Sequence, residues 1–404
     1  MDADVLIVGG GLVGASLACA LSGQGLRLAM VEPYPFHSER PAGYDDRTIA
    51  LAEGSRRVFQ TLSIWEAVAS EATPIRTIHV SERGAYGFTR LRAAEHGVEA
   101  LGYVTPARSL GRALADRLAD LSDLRLLSGA SLVDLVTNGD RVQVQVEADG
   151  APRFINASLV VAADGFRSTV RTLVGIDARE REYGQNAIIA NITPELPHGN
   201  VAYERFTDQG PMALLPMSEN RCGLVCTVEE QRAESLMRWA DAHFLEFVQA
   251  RFGDRLGRFL RVGQRQVYPL VHLKSREHFR DRVVIIGNAA HTLHPVAGQG
   301  FNLGLRDVAA LAEVVCDAHR ADRDIGGRSV LEAYQDWRGT DQTLTAGFTD
   351  ALVRLFTNPL PPLKMARDLG LLALDVAPGL KQVLARNAMG LAGRLPKLTR
   401  GIAL

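Results

Sequence analysis

The chain has 404 residues, 47% of them hydrophobic, and is long enough to bury a large core in about two or three domains. Its 45 basic and 46 acidic residues leave almost no net charge, which gives a nucleic-acid partner no global electrostatic support. The cysteines are scattered, so we expect buried thiols in a reducing compartment rather than a metal site: Cys19, Cys222, Cys226 and Cys316. An apolar strand starts close to the N-terminus and no apolar run approaches the roughly 20 residues of a membrane span. We therefore expect no signal peptide and a cytoplasmic protein, soluble or peripheral at the inner face of the cytoplasmic membrane.

The N-terminal stretch predicts a unit that binds a dinucleotide. Residues 5–8 form an apolar run that indicates a strand, and the pattern G-x-G-x-x-G follows at Gly9, Gly11 and Gly14. The first glycine permits a tight turn, the second lets a pyrophosphate approach the backbone, and the third packs a helix on the strand. A helix and a second strand at 28–31 lead to Glu32, whose carboxylate can accept both ribose hydroxyls of an adenosine.

Residues 33–46 are polar and rich in proline and glycine, which predicts a loop. Residues 46–51 then lead into a helix that contains Val58 and Phe59. Arg47 is expected at a helix start, close to the pyrophosphate. It either clamps the phosphates or is merely exposed, and its position alone leaves both alternatives open.

The middle of the chain predicts a second sheet. Beyond residue 75, short apolar runs alternate with turns, and residues 110–121 indicate an amphipathic helix. Residues 124–148 predict strands joined by a hairpin turn at Asn138-Gly139. Four strand-like runs between 186 and 228 predict an antiparallel sheet distinct from the nucleotide-binding unit. A helical stretch at 239–252 and a strand at 266–273 follow.

A second acidic turn follows the apolar run at 159–163. This run predicts a strand that ends on Asp164-Gly165, where a dinucleotide can also be held. Ser168 and Arg171 lie where the next helix opens.

A third motif combines a strand, a polar loop and a helix. Residues 283–286 predict the strand, Gly287 ends it, and helical spacing resumes after Gly300. The loop between them contains His291, His294, Pro295, Gly298 and Gly300. The N-terminus of the following helix carries about half a positive charge, which suits an anion. No G-K-[S/T] sequence is present, which excludes a P-loop.

These three motifs, in this order, resemble the group A flavoprotein aromatic hydroxylases, and the resemblance extends over the whole chain. Within that group, residues 46–51 and 293–307 resemble the ubiquinone-biosynthesis hydroxylases. The general pattern has Gly-Asp after the third strand, where the aspartate holds the ribityl chain of the flavin. Here Gly287 precedes Asn288, as in the branch that hydroxylates 2-octaprenyl-6-methoxyphenol, and an amide can bond to a hydroxyl without charge.

The resemblance implies an α/β fold with a Rossmann-like FAD-binding domain of the p-hydroxybenzoate hydroxylase-like kind, a mixed β-sheet substrate domain and a helical C-terminal region. The FAD-binding domain is expected in three parts, at 1–74, 97–180 and 274–340. The substrate domain is expected at 75–96 and 181–273, and the C-terminal region at 341–404.

The resemblance also implies roles for the motif residues. Glu32 would bind the ribose and Asp164 the flavin side, while Ser168 and Arg171 would also serve NAD(P)H. Residues 295–300 would lie against the isoalloxazine ring, with N–H groups that stabilise the negative charge of the reduced flavin. The implied cofactor-binding residues are Gly9, Gly11, Leu12, Val13, Gly14, Glu32, Arg47, Arg108, Asp164, Gly165, Gly287, Asn288, Pro295, Gly298, Gly300 and Asn302. The implied flavin-facing catalytic residues are His294 and Pro295. Because no acid or cysteine nearby completes a ligand set with His291 and His294, a scaffold role or a flavin contact is expected instead of a metal.

The implied reaction is hydroxylation of a polyprenylated phenol in ubiquinone biosynthesis. NADH or NADPH would reduce FAD, O₂ would add at C4a to give a hydroperoxide, and one oxygen would pass to the electron-rich ring without a protein nucleophile. Two alternatives stay open: flavin-dependent reduction or epoxidation of prenyl substrates, and a non-catalytic subunit that holds FAD. Other ubiquinone-biosynthesis proteins and a membrane surface are further candidate partners.

The C-terminal stretch from 364 to 404 is basic and apolar. It has two acidic residues, Asp368 and Asp375, against seven basic ones: Lys364, Arg367, Lys381, Arg386, Arg394, Lys397 and Arg400. Leucines and valines at helical spacing lie between these charges, and prolines break the stretch into short helices. Two interpretations stay open, an interface with a membrane or partner protein and a helix pair packed on the enzyme's own core.

Overall fold

A computed structural model describes residues 2–34, 46–292, 298–357 and 361–404. The strands in these residues are β1 Ala3–Val8, β2 Leu28–Glu32, β3 Thr48–Ala52, β4 Thr73–Ile75, β5 Thr77–Glu82, β6 Phe88–Arg92, β7 Gly102–Pro106, β8 Leu124–Ser128, β9 Ala130–Asn138, β10 Arg141–Ala148, β11 Ala151–Ala162, β12 Ala178–Pro194, β13 Val201–Thr207, β14 Gly210–Met217, β15 Arg221–Glu229, β16 Phe259–Val262, β17 Gln266–Ser275, β18 Phe279–Arg280, β19 Val283–Ile285 and β20 His291–Thr292. The α-helices are α1 Leu12–Leu21, α2 Glu53–Thr61, α3 Trp65–Val68, α4 Ala107–Ala119, α5 Thr169–Leu173, α6 Glu230–Arg238, α7 Asp241–Phe252, α8 Gln299–Arg320, α9 Arg328–Thr357, α10 Pro361–Val376 and α11 Pro378–Ala388.

The first sheet has eight strands in the order β18-β19-β11-β1-β2-β8, and β10 and β9 extend it from β11. Strands β19, β11, β1, β2 and β8 run parallel to their neighbours in this group. Val8 pairs with Ala162 on one side and with Val31 on the other, so these strands end side by side. Because carboxyl ends of parallel strands meet at one edge, the turns after β1, β2, β11 and β19 gather there.

The central strands of this sheet are buried on both faces, which explains their continuous apolar sequences. Val5 and Ile7 of β1 pack in a core shared with helices α1, α4, α8 and α9. Leu6 and Val8 face the opposite side, where they pack in a core shared with β10. The edge of the sheet that carries the turns is therefore held by packing from both sides.

A second, nine-stranded sheet has the order β20-β17-β12-β15-β14-β13-β5-β6, with β16 paired to β12. Its pairs are antiparallel except β13–β5, so the predicted antiparallel sheet contains one parallel pair. Leu236 of α6 and Phe244 and Phe252 of α7 pack in its core. A small third sheet, β3-β7-β4, contacts α8 on one side and β14 on the other, and so links the two large sheets.

Helix α10 lies along β6, the edge strand of the second sheet. The Thr89 hydroxyl donates to the Leu371 carbonyl oxygen at 2.6 Å, and the Arg90 N–H donates to Asp375 Oδ1 at 2.9 Å. Groups that an edge strand would leave unpaired are thus covered by a helix. Among the residues the structure describes, no helix is long and apolar enough to cross a membrane.

Some predicted elements differ in detail. Residues 48–52 form β3, which pairs with β7, so Arg47 precedes a strand and not a helix. The β9–β10 loop consists of residues 139 and 140, one position later than predicted, and Gly139 has φ 60°. His291 was expected in a loop, but it lies in β20 and pairs with Lys274 of β17. The first and third differences arise from pairing with a strand that is not the neighbour in sequence, which local patterns do not contain.

Candidate functional site

The turn after β1 is so close to its neighbours that two of its glycines have no room for a side chain. A Cβ on Gly9 would lie 2.6 Å from the Ala163 carbonyl oxygen, and one on Gly14 would overlap the Gly9 carbonyl oxygen. Gly9 also has φ 99°, in the region that favours glycine. Gly11 differs, because it has φ −60° and a Cβ there would meet no neighbouring atom of the described residues within 4 Å. The turn therefore packs through Gly9 and Gly14 and leaves open space at Gly11.

Helix α1 begins at this open space. Gly11 is its N-cap and no side chain caps the first turn, so the N–H groups of Leu12 and Val13 point out of the helix end without intrahelical acceptors. Glu32, at the end of β2, accepts hydrogen bonds from the Gly10 N–H at 2.6 Å and the Tyr34 N–H at 3.0 Å. Its carboxylate is thereby held beside the glycine turn.

The Asp164-Gly165 turn follows β11 at the same edge of the sheet. Asp164 Oδ2 accepts a hydrogen bond from the Val170 N–H at 3.1 Å. Asp164 Oδ1 is buried and has no hydrogen-bond partner among the described residues. Gly165 has φ 84°, which a side chain would strain. The turn thus offers one carboxylate oxygen, Oδ1, that can accept a hydrogen bond from a bound molecule.

Ser168 and Arg171 act inside the protein. Ser168 Oγ accepts the Arg171 N–H at 3.0 Å and caps α5, while the Arg171 guanidinium donates to the Ala289 carbonyl oxygen at 2.8 Å. Both side chains are buried, 1% and 8% exposed. Arg171 thereby ties the Asp164 turn to the Gly287 turn. A contact of this turn with NAD(P)H stays a prediction.

Residues 287–289 form a 3₁₀ turn after β19. Gly287 has φ 58°, and a Cβ on it would lie 3.1 Å from a Val13 methyl carbon, so this turn packs directly on α1. Asn288 is exposed in the middle of the turn. Its side chain is accessible to a bound molecule at the edge where the other turns meet.

The start of α8 is held by Asn302. Its Oδ1 accepts the Ala52 N–H at 2.8 Å and the Ser55 hydroxyl at 2.7 Å, and its Nδ2 donates to the Ala50 and Gly298 carbonyl oxygens at 2.9 Å. These four bonds use both donors and both acceptors of the amide. The side chain thus fixes the helix start against β3, and cofactor binding by Asn302 stays a prediction. Gly298 caps α8 without a side-chain hydrogen bond, and the positive end of the helix dipole at this start favours an anion.

A carboxylate that the sequence did not single out lies at the centre of the buried polar contacts. Asp307, 0% exposed, accepts from His291 Nε2 at 2.6 Å, from the Gly287 N–H at 3.1 Å, and from Arg338 and Gln342 at 2.8 Å each. Burial acts to raise the pKa of Asp307, but His291 and Arg338 outweigh it, and the pKa lies well below its ordinary value. Asp307 is therefore a charged, fully bonded centre between α8, α9 and the Gly287 turn.

The two predicted arginines have protein partners. The Arg47 guanidinium carbon lies 5.1 Å from the centroid of the Tyr268 ring. Arg108 donates to Asp46 at 2.8 Å and pairs with Glu71. Although burial acts to raise the pKa of Glu71, Arg108 holds it below its ordinary value. Cofactor binding by either arginine stays a prediction.

His294 and Pro295, the predicted catalytic residues, lie outside the described residues. For His291 we expected either a scaffold role or a flavin contact. Its hydrogen bond to Asp307 gives it a scaffold role. Within the described ranges, no group of three or more histidine, cysteine, aspartate or glutamate side chains could hold a metal ion.

These features fit FAD. The open space at Gly11 and the free N–H groups of α1 suit a pyrophosphate, and Glu32 lies beside them. Asp164 Oδ1, which has no partner among the described residues, provides an acceptor near the same edge, where α8 also begins. The arrangement suits an extended dinucleotide along a sheet edge.

Comparison with solved structures agrees with this class. The p-nitrophenol 4-monooxygenase PnpA from Pseudomonas putida DLL-E4 matches with a TM-score of 0.78 over 97% of this chain and 98% of that chain, at 18% sequence identity. The fold is the p-hydroxybenzoate hydroxylase-like fold, as predicted. Fold and site together define the class: a protein of this fold whose sheet edge suits FAD.

The chain belongs to the FAD-binding domain family, whose model matches residues 2–340. It is 40% identical to the ubiquinone hydroxylase UbiL of Rhodospirillum rubrum, over 100% of this chain and 94% of that protein. It is 31% identical to the 3-demethoxyubiquinol 3-hydroxylase of Escherichia coli, over 96% of this chain and 98% of that protein. The resemblance to the ubiquinone-biosynthesis hydroxylases is confirmed: the protein is an FAD-dependent hydroxylase, with NAD(P)H as the co-substrate typical of the family.

Sequence reasoning missed Asp307, Arg338 and Gln342. One signal was present, because Asp307 lies among Leu305, Val308 and other apolar residues on the buried side of α8. A single acid in such a position must find partners or lose its charge. The sequence did not show which residues those partners are.

Proposed function

We propose that the protein hydroxylates the aromatic ring of a polyprenylated phenol in ubiquinone biosynthesis, with FAD as cofactor and NAD(P)H and O₂ as co-substrates. The observation that carries the proposal is 40% identity over the whole chain to a protein named as a ubiquinone hydroxylase. The FAD-fitting turns at one edge of the first sheet support it, because a bound flavin can supply ring hydroxylation without a protein nucleophile.

The chain's residues would bind and orient the reactants. FAD, when bound, supplies the redox chemistry that activates O₂ for transfer to the ring. The first turn of α1 would hold the pyrophosphate, Glu32 the ribose and Asn288 the ribityl chain. The N–H groups at the start of α8 would stabilise negative charge on the reduced ring system. His294 and Pro295 are proposed to face the ring from the segment between β20 and α8.

We propose the division of labour between the domains that the resemblance implied. The first sheet takes its strands from residues 3–32, 124–162 and 279–285, which fall in the proposed FAD-binding domain. The second takes most of its strands from 77–92 and 178–275, in the proposed substrate domain. Strand β20 joins the second sheet although it lies in the third FAD-binding part, so the segment proposed to face the flavin begins at the boundary of the two domains.

The test is turnover by the purified FAD-loaded protein with a short-chain prenyl phenol, NAD(P)H and ¹⁸O₂. We expect phenol-stimulated NAD(P)H oxidation and a product that carries one labelled oxygen on the ring. A product with a reduced or epoxidised prenyl chain would replace the proposal with the first alternative. If NAD(P)H oxidation is negligible and does not respond to the phenol, a subunit that only holds FAD is favoured instead. Mass analysis of quinone intermediates in a strain lacking the protein identifies the ring position.

We propose further that the protein contacts a membrane surface through the α10–α11 face. This name denotes the exposed apolar residues Leu369, Leu372, Val376, Leu380 and Val383, which are 61%, 40%, 78%, 58% and 60% exposed. Surface helices usually turn such residues toward the core. A cluster of exposed large apolar side chains supports an interaction surface.

The polar side chains of α10 explain why its apolar side faces outward. Arg367 and Glu82 form a buried ion pair at 2.6 Å, and Asp375 accepts the Arg90 N–H of the edge strand. Polar contacts therefore attach the helix to the sheet. Leu369 and Val376 are left on the solvent side.

The basic residues contribute less to this surface than the sequence suggested. Arg367 pairs with Glu82, Lys381 with Glu95 and Asp375, and Lys397 with Asp317, while Arg394 stacks on Trp337 at 3.8 Å. From residue 376 to residue 404, however, the sequence has five basic residues and no acidic one. No acidic side chain in that stretch would repel an anionic bilayer. The proposed substrate also resides in a bilayer.

The test is flotation with anionic liposomes at low and high salt. The triple variant Val376→Ser, Leu380→Ser, Val383→Ser should stay in the soluble fraction, whereas the wild type floats. A matched control replaces three residues that are exposed to a similar degree on the first sheet, Val133, Val136 and Phe154, at 44%, 50% and 58%. The control should float like the wild type. If wild type and triple variant behave alike, the membrane proposal fails and a protein partner remains as the occupant of this face.

A further inference from the structure

One carboxylate oxygen connects two parts of the proposed flavin site. Asp307 Oδ2 accepts both the Gly287 N–H at 3.1 Å and His291 Nε2 at 2.6 Å. Gly287 starts the turn that carries Asn288, and His291 stands two positions before the segment 293–297 that is proposed to face the flavin. The relative position of these two parts is therefore set by a shared acceptor on α8.

The other end of the same segment is held separately. Asn302 bonds the Gly298 carbonyl oxygen and three groups of β3 and α2, as described above. Two buried polar anchors therefore flank residues 293–297 in the sequence, Asp307–His291 before them and Asn302–Gly298 after them.

His291 is the replaceable member of the first anchor. It is 4% exposed, and its Nδ1 has no hydrogen-bond partner among the described residues, so the only described hydrogen bond of its side chain is with Asp307. Arg338 and Gln342 hold the opposite oxygen, Oδ1. Without His291, Oδ2 keeps the Gly287 N–H alone and a fully buried charge loses one of its partners, which is unfavourable.

We propose that His291 is a positioning residue for the flavin: through Asp307 it fixes the Gly287–Asn288 turn against α8. It acts on the cofactor's surroundings and not on the phenol. The inference rests on the proposed FAD site but not on the proposed substrate, so a failed hydroxylation assay leaves it unaffected.

The test measures the flavin itself, without phenol, in the full-length protein. For His291→Ala we expect at least a tenfold higher Kd for FAD and a changed visible circular dichroism spectrum of the bound flavin. The Gln side chain can place an N–H near the position of Nε2, so His291→Gln should restore most of both properties. His198→Ala is the matched control: His198 is 9% exposed, and its Nε2 lies 2.8 Å from the Met217 carbonyl oxygen in the second sheet. It should lower the melting temperature and leave both flavin properties unchanged.

The proposal is overturned if His291→Ala keeps the wild-type Kd and spectrum, or if His291→Gln is as impaired as alanine. If the alanine variant fails to fold, His291→Asn replaces it in the test. The asparagine amide is polar but too short to reach Asp307, so we again expect a higher Kd for FAD and a changed spectrum. A wild-type spectrum and Kd in that variant would equally overturn the proposal.

Discussion

Gly11 offers the sharpest test of where FAD binds, because the structure separates its role from that of its neighbours. Its φ of −60° suits any L-residue, and a Cβ would meet no neighbouring atom of the described residues within 4 Å. Gly11→Val should therefore fold normally but fill the space proposed for the pyrophosphate. The N–H groups of Leu12 and Val13 would lose charge-assisted bonds worth about 1.5–3 kcal/mol each. Two such bonds amount to about 3–6 kcal/mol, or a 10²- to 10⁴-fold higher Kd.

The assay is FAD titration by flavin fluorescence, with melting temperature measured on the same samples. Gly111→Val is the matched control, since Gly111 lies inside α4 and its Cβ would also meet nothing within 4 Å. Its FAD affinity should equal that of the wild type. Gly14→Ala should instead impair folding, because its Cβ would overlap the Gly9 carbonyl oxygen. Wild-type FAD affinity in a folded Gly11→Val protein would refute this placement of the pyrophosphate.

Three further changes test the surroundings of the site. Asn288→Leu should weaken FAD binding by about 1–3 kcal/mol while Asn288→Asp is tolerated, and equal titration curves for wild type and the leucine variant would show that the amide does not touch the cofactor. Asn302→Leu leaves buried groups of β3 unpaired and should lower the free energy of unfolding in urea by at least about 1–3 kcal/mol; an unchanged midpoint would contradict the clamp. Burial and nearby arginines lower the pKa of His79 from its ordinary 6.5 to about 4, so the folded protein holds it neutral. The stability it contributes is present above pH 6.5 and is lost as the pH falls toward 4. His79→Gln should therefore reduce the slope of stability against pH in that range. Part of the slope should remain, because burial also lowers the pKa of His278 to about 4. Identical slopes in the two proteins would refute this assignment.

The N-terminal unit was predictable because its signals are local. The strand, the glycine turn, the helix and Glu32 follow one another within 32 residues, and each constrains the next. The turn at Asp164 and the strand before Gly287 were recognisable for the same reason, since an apolar run followed by a polar turn is a local pattern. What local patterns could not give is which turns touch. The contact of Gly287 with Val13 depends on the strand order β19-β11-β1.

The side-chain roles were harder to predict because they depend on partners far along the chain. Arg171 bonds Ala289, 118 positions away, and Arg108 bonds Asp46, 62 positions away. The resemblance marked both as candidates for a contact with FAD or NAD(P)H, but it did not contain these protein partners. Helix α10 shows the same limit: its periodicity shows which residues share a face, but not that the polar face attaches to β6 and the apolar face stays outside.

The C-terminal region cannot be treated as a removable membrane anchor, because it also supports the cofactor site. Gln342 bonds Asp307, and Asp341 pairs with Arg306 and Arg338, so truncation after residue 340 removes partners of the buried carboxylate. It also removes the Lys397 N–H that donates to Glu313 of α8 at 2.6 Å. We therefore expect the truncated protein to lose FAD as well as liposome binding, while the triple serine variant of the α10–α11 face loses only liposome binding. FAD retention by the truncated protein, measured after gel filtration, would show that α8 and the Gly287 turn hold their positions without this support.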